Sequence, residues 1–125
     1  MIDIDDFKAI NDSYGHMEGD AVIAQTALQL KKLFSPADIT GRFGGDEFIV
    51  FFDEISDRKE IEEKAEKIKE MLRSAGMNVS FSVGIAVSEG RNMTFEVLYK
   101  KADSALYATK QRGKDGYTIY TVSEV

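Results

Sequence analysis

Two pairs of carboxylates are the residues of this chain with the clearest chemical potential. Asp3 and Asp5 lie close to the start, and Asp46 and Glu47 directly follow a pair of glycines. Hard carboxylate oxygens suit Mg²⁺, which takes one or two of them together with waters and substrate phosphates. If the two segments are neighbouring strands, the pairs converge on a site of the kind that supports phosphoryl transfer. The alternative is that each pair is merely solvated at a strand end or a turn.

The composition excludes several other kinds of site. There is no Cys and only one His, so disulfides, thiolate nucleophiles, Cys-based zinc sites and His-rich metal centres are ruled out. The formal net charge of −6 argues against a broad surface for DNA, RNA or anionic lipid, but not against a single phosphate-bearing ligand. The longest strongly apolar run, residues 48–52, is far shorter than the roughly 20 residues that span a bilayer. We therefore expect one compact, soluble domain over residues 1–125, in the cytoplasm and without membrane contact.

The hydrophobic periodicity predicts the elements that position the first pair. Apolar and charged residues alternate over residues 2–5, which predicts a strand, and a short polar segment follows at residues 7–14. Apolar residues then recur at helical spacing, which predicts a helix that begins at Gly19 or Asp20 and ends before Pro36. Its stripe consists of Ile23, Ala27, Leu30 and Phe34.

A hairpin is predicted around the second pair. Residues 38–43 and 47–53 are rich in apolar residues and are separated by Gly44 and Gly45. Two glycines between extended segments favour a tight turn of type I′, which needs positive φ at both central positions. Such a turn also leaves room for backbone N–H groups to approach a phosphate, although a Gly-Gly hairpin alone is more often only a hairpin.

The second half of the chain alternates helices and strands. Ser56 or Asp57 is the predicted N-cap of a helix, and residues 79–87 alternate strictly as a strand. Thr94 then caps a further helix, and residues 117–122 form the last strand. The order βααββαβαβ predicts an α+β domain with helices packed on an antiparallel-rich central sheet.

Several motifs occur in the order that is typical of one family. They are DIDDFKAINDSYGH at residues 3–16, Gly19-Asp20, RFGGDEF at residues 42–48, SVGIA at residues 82–86 and ADSALYATK at residues 102–110. Together they extend over essentially the whole chain, which strongly resembles the GGDEF family of diguanylate cyclases. The resemblance implies a ferredoxin-like, nucleotide-cyclase palm-like fold. It also implies a domain that binds one GTP and, as a transient homodimer, condenses it with the GTP of a second copy to give cyclic di-GMP and two pyrophosphates.

The resemblance assigns the carboxylates to a metal site. Asp3, the backbone carbonyl of Ile4 and Asp46 would hold Mg²⁺ or Mn²⁺, with two ions expected in each active site. Glu47 would bind metal or deprotonate the attacking ribose 3′-OH. The assignment agrees with the reading from the residues, because metals neutralise the charge that develops on the α-phosphate and the leaving pyrophosphate.

The resemblance also supplies a substrate site. Asn11 and Asp20 match the positions that read the guanine edge, whereas the residues alone equally suit a turn at Asn11 and a helix N-cap at Asp20. The groups expected to bind phosphates are the backbone N–H groups at Asp6, Phe7, Lys8 and Gly45 and the ammonium groups of Lys110 and Lys114. The two lysines also suit the negative end of a helix without any ligand. Lys114 stands where the family often has Arg, so charge is kept but the bidentate fork is lost.

Two departures from the family pattern affect the function. Many members carry an inhibitory Arg-x-x-Asp product site ahead of the glycines, and here Ser35 replaces the Arg while Asp38 remains. We therefore expect weak or absent product inhibition. The chain is also short at its N-terminus relative to the family, which leaves open an inactive GTP-binding or interaction module. A different nucleotide cyclase or polymerase-like palm domain is a further alternative.

Overall fold

The computed structural model describes residues 1–36, 38–52, 57–89 and 93–122. Within them the order of elements is βααββαβαβ, as the sequence predicts. The elements are β1 Ile2–Ile4, α1 Phe7–Tyr14, α2 His16–Leu33, β2 Ile39–Arg42, β3 Glu47–Phe51, α3 Arg58–Glu70, β4 Phe81–Ser88, α4 Phe95–Gln111 and β5 Gly116–Val122.

The strands form one mixed sheet in the order β2-β3-β1-β4-β5. The pairs β2/β3, β3/β1 and β1/β4 are antiparallel, whereas β4 and β5 run parallel and are joined by α4. Because β3 lies between β1 and β2, the first four strands have the split βαβ arrangement of ferredoxin-like folds. The predicted α+β class with an antiparallel-rich sheet is therefore confirmed, and β1 lies at the centre of the sheet.

The predicted start of the long helix is wrong. α2 begins at His16. The preceding Gly15, with a φ of 89°, ends α1 and lets the chain turn before α2 starts. The polar residues at its start are solvated and do not oppose helix formation, so the apolar stripe marks only the buried part of the helix. Asp20 consequently lies inside α2 and is not its N-cap. The buried positions are Gly19, Val22, Thr26 and Leu30.

The predicted hairpin forms, but its turn differs. Four residues separate β2 from β3, and only Gly44 of the two glycines has positive φ, at 93°. The Phe43 N–H donates to the Glu47 carbonyl at 2.7 Å, and the Arg42 guanidinium donates to the Gly45 carbonyl at 2.7 Å. A four-residue connection does not require the type I′ geometry expected for a two-residue loop, which is why the expectation for Gly45 is wrong.

Two helix caps predicted from the sequence are present. The Asp57 carboxylate accepts a hydrogen bond from the Glu60 N–H at 2.9 Å and caps α3, and the Thr94 hydroxyl accepts one from the Val97 N–H at 3.2 Å and caps α4. The alternative cap Ser56 and the end of the predicted third strand, residue 53, lie outside the described residues. Among the residues that are described, no helix combines the length and the apolar composition needed to cross a membrane.

The hydrophobic core lies between the sheet and the helices. Its most buried apolar members include Ile2, Ile4, Val22, Leu30, Phe48, Leu72, Phe81 and Val83. On the α4 side, contact is so close that a Cβ at Gly84 of β4 would lie 2.2 Å from the Ala102 carbonyl oxygen and 2.3 Å from the Leu106 nitrogen. This glycine therefore lets the backbones of β4 and α4 touch, which fixes the position of α4 and of the lysine at its end.

Candidate active site

The sheet register brings two of the predicted carboxylates together. Asp3 lies opposite Glu47 in the β1/β3 ladder, and the Ile4 N–H donates to the Asp46 carbonyl at 3.1 Å. The hairpin thereby places the Asp46 side chain beside that of Asp3, close enough to raise the pKa of Asp3. The convergence expected of neighbouring strands is present for these residues.

The Asp3 carboxylate is buried and incompletely satisfied. Burial raises its pKa to about 6, the hydrogen bond from Lys110 opposes this, and the Asp46 charge adds to the rise. One of its oxygens, Oδ1, is buried and has no hydrogen-bond partner within the described part of the chain. An unsatisfied buried acceptor costs about 1–3 kcal/mol, more when charged. A bound cation would remove that cost, so the pair fits a metal ion.

The carboxylates at this site do not form a closed protein cage for a metal ion. Across residues 1–36, 38–52, 57–89 and 93–122, no group of three or more His, Cys, Asp or Glu side chains could by itself hold a metal ion. Mg²⁺ commonly binds through one or two carboxylates, with waters and substrate phosphates completing its octahedron. The adjacent carboxylates of Asp3 and Asp46 fit this open arrangement.

Glu47 and Lys110 flank the aspartates. Glu47 is half-buried at the first position of β3, and its charge acts on Lys110. Lys110, in the last turn of α4, forms an ion pair with Asp3. Burial lowers the pKa of Lys110, but the hydrogen bond to Asp3 and the surrounding carboxylates outweigh burial and raise it. The ammonium is therefore held charged where anionic groups meet.

The second predicted lysine lies at the loop after β1. Lys114 Nζ contacts Asp6 Oδ1 at 2.7 Å, although Lys114 is three residues beyond the end of α4. Asp6 is the left-handed N-cap of α1, with φ of 54°, and its side chain makes no capping hydrogen bond. Phe7 and Lys8 are the first residues of α1, so their backbone N–H groups have no partners within the helix. Lys114 and these N–H groups thus face the same loop.

The predicted guanine-reading residues lie on adjoining helices. Asn11 is a half-buried residue of α1, and its side chain lies directly over Gly19 of α2. A Cβ at Gly19 would lie 1.8 Å from Asn11 Oδ1 and 3.3 Å from the Phe7 ring. Asp20, the next residue, is exposed. The sequence motif contained Gly19 but gave it no function, and the structure shows that it makes room for Asn11.

Two other candidates have local partners. Gly45 lies in the exposed turn, where its carbonyl accepts from Arg42 and its Cα has open space around it. Asp38 closes a turn with Ser35, because its Oδ2 accepts from the Ser35 N–H at 2.9 Å and its own N–H donates to the Ser35 carbonyl at 2.9 Å. The remaining half of the degenerate product motif is thus engaged within the chain.

Asp5 does not supply a free carboxylate beside Asp3. It lies on the face of the sheet that the alternation predicts, because the Asp5 N–H donates to the Ser80 carbonyl at 3.0 Å and its side chain reaches Ser82, the partner of Asp3 in the β1/β4 ladder. Its carboxylate instead accepts hydrogen bonds from the hydroxyls of Ser80 at 2.7 Å and Ser82 at 2.5 Å. A third comes from the Asp115 N–H at 3.0 Å. Asp5 is occupied by protein donors and is not a free metal ligand.

This fold and this set of residues match one known family. Residues 1–116 match the family model described as diguanylate cyclase, GGDEF domain. The chain belongs to the GGDEF family of diguanylate cyclase domains.

Curated relatives and solved structures agree with this assignment. Diguanylate cyclase A of Treponema denticola is 36% identical over 129 residues, which cover 95% of this chain and 34% of that protein. DgcP, a diguanylate cyclase of Pseudomonas aeruginosa, is 36% identical over 126 residues, covering 92% of this chain and 18% of that protein. The chain thus spans a minor part of the length of both.

Among solved structures, the active GGEEF domain of a diguanylate cyclase from Vibrio cholerae has a TM-score of 0.83 and 30% identity, covering 95% of this chain and 79% of that one. The GGDEF domain of DgcB from Caulobacter crescentus, solved in complex with c-di-GMP, has a TM-score of 0.83 and 29% identity. The match covers 94% of this chain and 74% of that one. Nearly all residues of this chain therefore share the fold of these two GGDEF-type domains.

Proposed function

We propose that this chain is a diguanylate cyclase catalytic domain that condenses two GTP into cyclic di-GMP and two pyrophosphates as a transient homodimer. The observation that carries the proposal is the buried Asp3 carboxylate, which has an unpartnered oxygen, lies beside Asp46 and forms an ion pair with Lys110. Family membership supports the same activity. Each copy supplies one GTP, so neither copy closes the product ring alone.

The reaction needs a nucleophile, an electrophile and a leaving group in line. The ribose 3′-OH of one GTP attacks the α-phosphate of the other, a new P–O bond forms, the bond to the β-phosphate breaks, and pyrophosphate leaves. Asp3, Asp46 and the Ile4 carbonyl would hold Mg²⁺ or Mn²⁺, which would neutralise the charge at the α-phosphate and the leaving group. Glu47 would accept the 3′-OH proton or bind metal. The rest of the rate acceleration comes from holding the 3′-OH and the α-phosphate in line.

The phosphates and the base have separate binding regions. Lys110, Lys114 and the N–H groups that begin α1 bind the β- and γ-phosphates, since Lys114 contacts the loop after β1 and Lys110 pairs with Asp3 just before that loop. Asn11 and Asp20 pair with the carbonyl acceptor and the N–H donors of guanine. Adenine offers the opposite pattern of donors and acceptors and would leave these hydrogen bonds unmade, which gives the preference for GTP.

Gly19→Ala is expected to weaken GTP binding about tenfold or more while leaving stability within about 1 kcal/mol of the unaltered chain. The new Cβ would overlap Asn11 Oδ1, at 1.8 Å, and this atom is the free end of a side chain that can rotate away. The fold then survives, but the guanine contact is lost. Titration calorimetry with GTP and thermal unfolding measure the two effects.

Gly41→Ala is the matched control, since a Cβ there meets no atom within 4 Å. Unchanged GTP affinity in Gly19→Ala would show that Asn11 does not read the base.

Added cyclic di-GMP is expected to leave the initial rate of the chain unchanged at concentrations comparable to its substrate. Ser35 offers no charged fork for guanine and phosphate, and Asp38 is already engaged with Ser35. Initial rates at several product concentrations test this. Strong inhibition that disappears in Asp38→Ala would contradict it, whereas inhibition that appears only in Ser35→Arg would agree with it.

The test of the proposed function is incubation of the purified chain with GTP and Mg²⁺ over a range of protein concentrations. Chromatography separates cyclic di-GMP, the linear intermediate and remaining GTP. We expect product to rise more than linearly with protein, because two loaded copies must meet. GTP binding without product at any protein concentration would overturn the proposal in favour of a non-enzymatic GTP-binding module.

A further inference from the structure

Asp5 joins β1 to a loop far away in the sequence. Its buried carboxylate accepts the Asp115 N–H at 3.0 Å in addition to the hydroxyls of Ser80 and Ser82. The two serines belong to β4 and the residues that lead into it, so they anchor the carboxylate to the sheet. The third bond ties the loop between α4 and β5 to the same point.

That loop has a backbone conformation that requires external support. Gly113, Lys114 and Asp115 have successive φ values of 110°, 65° and 46°. Glycine adopts such values readily, but each of the other two residues pays about 1–2 kcal/mol in the left-handed region. The conformation persists only when surrounding contacts hold it, and the bond from the Asp115 N–H to Asp5 is one of these contacts.

An ion pair holds the same loop through the Asp115 side chain. The Arg73 guanidinium donates to Asp115 Oδ2 at 3.2 Å and forms a second, shorter bond to Asp115 Oδ1. The hydrogen bond to Asp115 is the main reason why the pKa of Arg73 is raised. Arg73 is itself partly buried and contacts Glu70 at 3.3 Å. Asp115 is therefore held through its N–H by Asp5 and through its side chain by Arg73.

We propose that Asp5 is a positioning residue for the triphosphate: with Asp115 and Arg73 it forms a clamp that fixes the left-handed loop and directs the Lys114 ammonium to the phosphate-binding loop at Asp6. Lys114 Nζ is 2.7 Å from Asp6 Oδ1, which is where the clamped loop places it. This role rests on the proposed function, because it takes the ligand of that loop to be the triphosphate of GTP.

The clamp acts by lowering the entropy that the loop and Lys114 lose when the triphosphate binds. A lysine on a mobile loop loses backbone and side-chain freedom when it binds a phosphate, whereas a lysine on a fixed loop loses only side-chain freedom. Removal of the clamp should therefore weaken contacts to the β- and γ-phosphates and leave guanine contacts intact. A residue with only a structural role would change stability without this distinction between ligands.

The experiment compares two probes by titration calorimetry with Mg²⁺. The first, 3′-deoxy-GTP, carries the triphosphate but has no 3′-OH and does not condense, and the second, GMP, lacks the β- and γ-phosphates. We expect Arg73→Ala to reduce the preference for 3′-deoxy-GTP over GMP about fivefold and Asp5→Ala to reduce it about tenfold. Asp5→Asn should retain most of the preference, because an amide oxygen still accepts the Asp115 N–H.

Two further variants separate positioning from general destabilisation. Arg58→Ala breaks a surface ion pair of α3, with Glu62, and should leave the preference unchanged. In a Lys114→Ala background, Arg73→Ala should cause no additional loss, since the lysine that the clamp positions is gone. Amide exchange at Asp115 should be slow in the unaltered chain and faster in Arg73→Ala, which remains measurable if Asp5→Ala does not fold.

The outcomes separate the clamp from the proposed function. An unaltered chain that binds GMP and 3′-deoxy-GTP equally contradicts the proposed function itself. A normal preference that persists in Arg73→Ala, or an equal further loss when Lys114 is already Ala, overturns the role of Asp5 alone. Loss of preference confined to the clamp variants and absent from Arg58→Ala supports it.

Discussion

Glu47→Gln is expected to lower the rate of cyclic di-GMP formation by about 10²–10⁴-fold, the usual effect of removing an acid–base group. The amide keeps the size of the side chain but neither accepts the 3′-OH proton nor carries charge for a metal. Folding should be unaffected, because the hairpin closes through the backbone carbonyl of Glu47, which accepts the Phe43 N–H, and not through its side chain. Product chromatography and denaturant unfolding measure the two effects.

Glu62→Gln is the matched control for this result. It removes the same charge from a site on the surface of α3, where the carboxylate pairs with Arg58 at 3.4 Å. Such surface pairs contribute about 0–1 kcal/mol, so neither rate nor stability should change noticeably. Normal product formation by Glu47→Gln would remove Glu47 from the mechanism and assign the proton transfer to another group.

Gly84→Ala is expected to destabilise the fold by about 3 kcal/mol or more, at the upper end of overpacking effects. Its Cβ would lie 2.2 Å from the Ala102 carbonyl oxygen and 2.7 Å from the Leu106 Cα, and both are backbone atoms that cannot rotate away. α4 would have to move off β4, which would also displace Lys110 from Asp3. Urea unfolding midpoints measure the loss.

Gly116→Ala tests whether any glycine of the sheet would behave in this way. Gly116 pairs with Ser82 at the start of β5, and a Cβ there would make only ordinary contacts, 3.7 Å from the Lys114 carbonyl oxygen. We expect its stability to stay within about 1 kcal/mol of the unaltered chain. Equal midpoints for the two variants would contradict the close packing of α4 on β4.

Those parts of the fold that depend on local chemistry could be predicted from the sequence. Asp57 and Thr94 cap their helices because capping is decided within four residues. The strict alternation of apolar and small polar residues predicted β4, because successive side chains of a strand point to opposite faces of the sheet. The start of α2 could not be predicted in this way, since the apolar stripe marks what the core covers and gives no information on the solvated first turn.

In the candidate site, too, local features could be predicted and contacts between distant residues could not. The proximity of Asp3 and Asp46 follows once two strands are taken as neighbours, and the GGDEF resemblance supplied that pairing. Asp5 lies on the face that the alternation predicts, but the donors that occupy its carboxylate come from Ser80, Ser82 and Asp115, far along the chain, and could not be predicted. The left-handed Lys114 and Asp115 carry no sequence signal, because neither is glycine and the contacts that hold them come from residues far along the chain.

The central position of β1 has a consequence for how the protein is made. Ile2 pairs with Phe48 on one side and with Val83 on the other, so both ladders of β1 have high contact order. Closing loops of this length costs entropy before any β1 contact forms, which slows folding. During translation, at about 5–20 residues per second, several seconds therefore pass between the synthesis of β1 and that of its partner strand β4. The strand that carries Asp3 is the first synthesised of the described strands, yet its pairing is completed only after most of the domain has emerged.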